Sequence, residues 1–73
     1  MVQIGGVYKH YKGVLYRVLM VGLESTNGRT RDRLVIYISD AQHNVCVRKE
    51  SEFLEPIKWP DGVVRPRFHF QGT

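Results

Sequence analysis

The densest chemistry in this chain sits at Tyr8, His10, Tyr11, Lys12 and Tyr16, which crowd around a short Tyr11-Lys12-Gly13 turn. A second basic feature follows at Arg29, Arg31 and Arg33. Residues two apart on an extended segment face the same side, so these guanidiniums are expected to form a ladder, with Asp32 pointing the other way. Arg48, Arg65 and Arg67 extend the basic set. Aromatic faces stack on bases, and guanidiniums grip phosphates in bidentate fashion. The two features together predict a surface for an anionic, base-containing ligand, either single-stranded nucleic acid or a nucleotide. In that reading Tyr8, Tyr11 and Tyr16 stack, with His10 among them, and Lys12, Arg29, Arg31 and Arg33 hold phosphate.

Each residue taken singly also has a plain structural role open to it. Tyr8 and Tyr16 alternate along their runs and fit a core equally well. Arg67, between Pro66 and Phe68, fits an ion pair with Glu24, Glu52 or Glu55.

Catalysis has little to stand on. His43 and Cys46 lie three apart, and a Cys–His pair can make a nucleophile. Cys46, however, falls inside an apolar run, where a small buried hydrophobe is the expected role. His10, His43 and His69 follow no metal-ligand spacing, and Gly5-Gly6 lacks the helix that a phosphate-cradling loop requires. The chain is therefore read as a non-catalytic module with no metal and no cofactor. Two other binding modes stay open. One is a peptide or protein partner held in an aromatic groove lined by Tyr8, Tyr11 and Trp59. The other is capture of a small nucleotide at the interface of a homo-oligomer, because so short a chain has little room for an enclosed pocket.

The composition sets the frame. The chain has 73 residues, so residues 1–73 are expected to form one small domain with a modest core. Eleven Lys and Arg against seven Asp and Glu give a net charge of +4, which favours anionic partners without naming one. Cys46 stands alone, which excludes an intramolecular disulfide and fits a reducing cytoplasm. No apolar run approaches the roughly 20 residues of a membrane span, and Met1 to Ile4 has none of the parts of a signal peptide.

Period-two alternation dominates the chain and β-formers abound. A first strand is expected over about 5–10, with Val7 on one face and Tyr8 and His10 on the other. Gly13 closes the turn, where it can take a positive φ. The second strand, about 14–24, is the longest. Its far half is apolar on both faces, which predicts burial on both sides or sharp curvature, with a bulge or corner at Gly22. A polar loop over 25–31 carries the Asn27-Gly28 turn signal. A third strand at 33–39 and a short fourth at 45–48 follow. The stretch 49–53 breaks the alternation and fits one helical turn. A fifth strand over 54–59 contains Pro56, Trp59-Pro60-Asp61-Gly62 is expected as a hairpin turn, and the closing stretch 63–71 contains Pro66; both Pro56 and Pro66 point to sheet edges. Five to seven short strands and one helical turn near 49–53 predict an all-β fold, a small SH3-like barrel, with an OB-type barrel as the alternative.

The opening Gly6-Val7-Tyr8-Lys9-His10-Tyr11-Lys12-Gly13, followed by Tyr16 and Val18, resembles the start of a bacterial and phage family of small proteins, the domain-of-unknown-function family 1653. Val35-Ile36-Tyr37, Val47-Arg48, Phe53-Leu54-Glu55 and Pro66-Arg67-Phe68 fit the same family in the same order. Leu23-Glu24-Ser25-Thr26 stands where the family tends to have His-Ser-Glu-Thr after the second strand. Cys46 replaces its usual aromatic and Lys49 its usual Pro. The resemblance implies a compact β-barrel and no established activity.

Overall fold

The computed structural model describes residues 1–26 and 31–73. Seven strands and one helical turn follow in order: β1 (Val7–His10), β2 (Leu15–Leu23), β3 (Arg33–Ile38), β4 (Val45–Lys49), α1 (Glu50–Phe53), β5 (Pro56–Lys58), β6 (Val64–Pro66) and β7 (Phe68–Gly72). Five of the strands form one antiparallel sheet in the order β4-β3-β2-β1-β7, and β5 and β6 pair separately. The class is all-β, as the alternation predicts, but the barrel is not closed. Strands β4 and β7 remain as edges of the large sheet, because α1 carries the chain from β4 into a hairpin that pairs only with itself. Among the described residues no helix is long and apolar enough to cross a membrane.

The core lies on one face of the large sheet. It is built from Val2, Tyr8, Val18, Val35, Tyr37, Phe53 and Phe68. Alternation explains the membership. Val18 lies opposite Tyr37, Val21 opposite Val35, and Cys46 and Arg48 opposite Tyr37 and Val35, so these side chains share the inward face. The helical turn contributes one residue inward, Phe53. Its ring stacks on Phe68 with centroids 4.0 Å apart and planes 2° from parallel, while Tyr8 and Tyr37 meet it edge-on at 5.2 and 5.3 Å. Edge-on contact aims ring hydrogens at a π face, the favoured arrangement for neighbouring aromatics.

The N-terminal segment is strapped across this core. Gly5 donates to Val18 O at 2.8 Å and Val18 donates to Gly6 O at 3.0 Å. A Cβ on Gly6 would lie 2.9 Å from both Gln3 O and the Phe70 ring, so only glycine fits. Glu50 fastens the strap, accepting from Val2 N at 3.1 Å and from Arg33 Nε at 2.9 Å.

Two expectations for β2 need correction. The irregularity is not at Gly22 but between Val18 and Met20, where the register with β3 slips. Leu19 is the extra residue: Val18 stands opposite Tyr37, Met20 opposite Ile36 on the outer face, and the alternation resumes with Val21 opposite Val35. The far half of β2 is accordingly not buried on both sides: Leu19, Met20 and Leu23 are exposed. An inserted residue re-aims every side chain beyond it, which alternation counted without a bulge cannot anticipate.

Candidate functional site

Two hairpin tips of the same construction define the candidate site. In the first, His10 donates to Val14 O at 2.8 Å and Gly13 donates to His10 O at 2.7 Å. In the second, Trp59 donates to Val63 O at 2.9 Å and Gly62 donates to Trp59 O at 2.8 Å. Gly13 and Gly62 take the left-handed φ values +106° and +85° that these short loops require. The first tip presents Tyr11 and Lys12, the second Pro60 and Asp61. Between them runs an open groove of about 300 Å³, lined by Lys9, Tyr11, Lys12, Gly13, Trp59, Pro60 and Asp61.

Both aromatic walls are held from behind. Tyr11 N donates to Arg67 O at 3.1 Å, tying the first tip to the segment between β6 and β7. The Tyr11 ring leans on His10 with centroids 4.5 Å apart, and the Arg67 guanidinium sits 5.9 Å from its centroid. The Trp59 indole N–H donates to Pro66 O at 3.0 Å, and the Arg65 guanidinium lies 5.2 Å from the indole. Asp61 is the only acid in the lining, and Arg65 engages it through two nitrogens at 3.0 and 2.8 Å. Those bonds, with the one from Val63 N, hold the Asp61 carboxyl down at about 2. With Asp61 already paired, the exposed ammonium groups of Lys9 and Lys12 leave the groove cationic.

His10 supports the first tip from within. Its ring contacts Tyr11, Tyr16 and Phe68, and its Nδ1 accepts from Lys12 N at 3.2 Å. Burial, then the nearby Arg48, Arg67 and Lys12 charges, push its pKa below the usual histidine value. Protonation at Nδ1 would also cost the bond from Lys12 N, so the ring is held neutral. Tyr16 lies beside it against Tyr37 and Phe68, and burial raises its phenol pKa.

The residues singled out in the sequence therefore divide. Tyr11 and Lys12 line the groove, with His10 behind them. Tyr8 is only 4% exposed, its ring is flanked by Phe53 and Phe70, and its hydroxyl accepts from Gln3 N. It is a core residue and offers no face for stacking. Tyr16 is half-buried against the same core. The arginine ladder is also corrected. Arg29 lies outside the described residues. Arg31 has a left-handed φ of 48°, which breaks the extended geometry that a ladder needs. Arg33 is committed to Glu50. Arg67 pairs with Glu55 at 3.1 Å, one of the three partners the sequence offers it. Cys46 Sγ faces Asn44 O at 3.8 Å, and Cys46 packs against the core, while His43 sits exposed in the loop before β4. Among the described residues no three of His, Cys, Asp and Glu gather as a metal site.

Lys9 and Asp61 line the groove with no sequence pattern marking them as ligand contacts, and Trp59 enters from the sequence only as part of an aromatic peptide groove. The available signal was the matching Gly at the end of each tip, Tyr11-Lys12-Gly13 and Pro60-Asp61-Gly62, which marks two loops of one type. No curated protein and no solved structure matches the chain. Residues 6–70, which hold both tips and all seven strands but the end of β7, match the family model described as Protein of unknown function (DUF1653), and the chain belongs to that family.

Proposed function

We propose that this protein is a non-catalytic binding module for an anionic, base-containing ligand, single-stranded nucleic acid or a nucleotide, held in the groove between the two tips. The observation that carries the reading is the lining itself. Tyr11 and Trp59 flank the same groove as Lys9 and Lys12, and its one acid is already neutralised by Arg65. A ring on each side gives a base something to stack on, and two ammonium groups meet phosphate. The contact set thus keeps Tyr11 and Lys12, adds Lys9 and Trp59, and leaves out Tyr8, Tyr16 and Arg33. The lone thiol of Cys46 suits action in a reducing cytoplasm.

The test is fluorescence anisotropy with a labelled single-stranded oligonucleotide, followed by competition with free nucleotide. Binding should weaken steeply with salt, because phosphate contacts release counterions. Lys9→Glu together with Lys12→Glu should abolish it with the fold intact, since both side chains are exposed. Binding that survives both reversals sinks the proposal. A peptide partner is the second reading, favoured by the placement of Tyr11 and Trp59 in one shallow groove between loops. It predicts a complex that tolerates salt and is lost in Tyr11→Ala.

A further inference from the structure

The outer face of β2, β3 and β4 is not the polar surface expected of a half-exposed antiparallel sheet. Register places Met20 opposite Ile36, and Ile36 opposite Val47. Ile38 stands opposite Val45, and Leu34 lies between Gly22 and Lys49. Leu19, the extra residue at the bulge in β2, is exposed next to Met20. No charged side chain lies inside this array; Arg17 and Lys49 stand at its ends. Met20 is 54% exposed and Val47 59%, with Val45 and Leu19 also exposed. One-sided antiparallel sheets normally alternate apolar inward and polar outward, and this one is apolar on both faces over three strands.

We infer that this face is a homodimer interface, in which the outer faces of β2, β3 and β4 from two copies pack against each other. Three observations select a second copy as the occupant. First, Met20, Val45 and Val47 are 54–59% exposed on one apolar face, with Leu19 39% exposed beside Met20, which is more clustered apolar surface than a lone soluble domain usually leaves bare and the kind of face that two copies must join to reach the roughly 1,000 Å² of a specific interface. Second, each copy carries a net charge of +4, yet the patch is uncharged, so two copies can meet here without bringing like charges into contact. Third, the surface is an apolar face spread over three adjacent strands, a kind that packs on another sheet face at about 10 Å spacing. The patch lies on β2, β3 and β4, and none of its residues lines the groove.

Salt separates this inference from the proposed ligand site. Apolar association between two cationic chains strengthens as salt screens their repulsion, whereas phosphate binding weakens. The experiment is sedimentation equilibrium across the low-micromolar to hundred-micromolar range, at low and high salt. The expected result is a mass of two chains, with a dissociation constant that falls as salt rises. Met20→Glu with Val47→Glu should raise that constant at least about a hundredfold, because each copy would have to bury two unpaired carboxylates. Both positions are more than half exposed, so the variant should keep the thermal midpoint of a dissociated wild-type chain. Val45→Lys serves as a second disruption should that variant fold poorly. A wild-type chain that remains monomeric throughout, or a dimer that persists in both variants, overturns the assignment, as does a monomer that gains mass only with a different protein.

Discussion

Truncating Phe53 tests whether the one helical turn is the keystone of the core. Its ring is fully buried, stacked on Phe68 and met edge-on by Tyr8 and Tyr37. Removing a buried aromatic forfeits its transfer energy and leaves a cavity, together about 3–5 kcal/mol. The loss of three ring contacts places Phe53→Ala near the top of that range, at about 4–5 kcal/mol. A domain of this length has a total stability of about 4–11 kcal/mol, so the variant should sit close to unfolding. The assay is equilibrium urea denaturation followed by tryptophan fluorescence. With a slope of about 1 kcal/mol per molar for so small a chain, the midpoint should fall by about 4 M. Phe53→Leu, which keeps much of the volume, should lose only about 1.5 kcal/mol and provides a measurable transition if Phe53→Ala is too weak. Phe70 is the control: it is 42% exposed and has one edge-on contact, with Tyr8, so Phe70→Ala should lose about 1 kcal/mol. Equal losses in Phe53→Ala and Phe70→Ala, at unchanged slope, would refute the reasoning.

Two further predictions concern pH, and both groups lose stability on acidification through different windows. Burial pulls the Glu50 carboxyl upward, but the bonds from Val2 N and Arg33 outweigh it and hold its pKa below the ordinary glutamate value of 4.5. Its contribution is therefore complete above that value and disappears as pH falls through the folded one. Glu50→Gln should cost about 1–2 kcal/mol at neutral pH, at the modest end for charged hydrogen bonds because Arg33 is partly exposed, and should flatten the melting curve's acid limb below pH 4.5. An unchanged limb would remove Glu50 from that role. His10 acts at higher pH: its folded pKa lies below 6.5, so the unfolded chain binds more protons just under that value. Melting temperature should decline as pH drops below 6.5, and His10→Gln should reduce that decline; the same slope in both proteins would count against a half-buried neutral ring.

Much of the fold was legible because strands write their faces in alternate residues. Val7 against Tyr8 and His10, and Ile36 against Val35 and Tyr37, sort to outer and inner faces as their spacing predicts. Pro56 and Pro66 pair with each other in the detached hairpin, where missing N–H groups cost little. What alternation could not convey was the extra residue in β2, since Leu19 and Met20 look like any apolar step. Nor could it decide between stacking platform and core for Tyr8, because both put an aromatic on the same face. That choice depended on Phe53 and Phe70, distant in sequence and adjacent in space. Half the candidate site was visible for the same reason: Tyr11 and Lys12 are neighbours in the chain, while Trp59 reaches them only through the folding of the second tip.

The pairing of β1 with β7 has a consequence for how the molecule comes into being. Val7 stands opposite Gly72, and Tyr8 opposite Phe70, so the sheet joins one of its first strands to the last one made. The core stack repeats the pattern, with Tyr8 and Val18 waiting for Phe53 and Phe68. On a ribosome, the early strands must therefore emerge with their apolar faces bare, and cannot be completed until Phe68–Gly72 follows. Partners so far apart also slow closure of the fold, toward the millisecond-to-second regime of small β proteins. For that interval the exposed edge of β1 and the apolar outer face of β2 are available to other chains, so rapid overexpression should favour misassembly over a shortage of final stability.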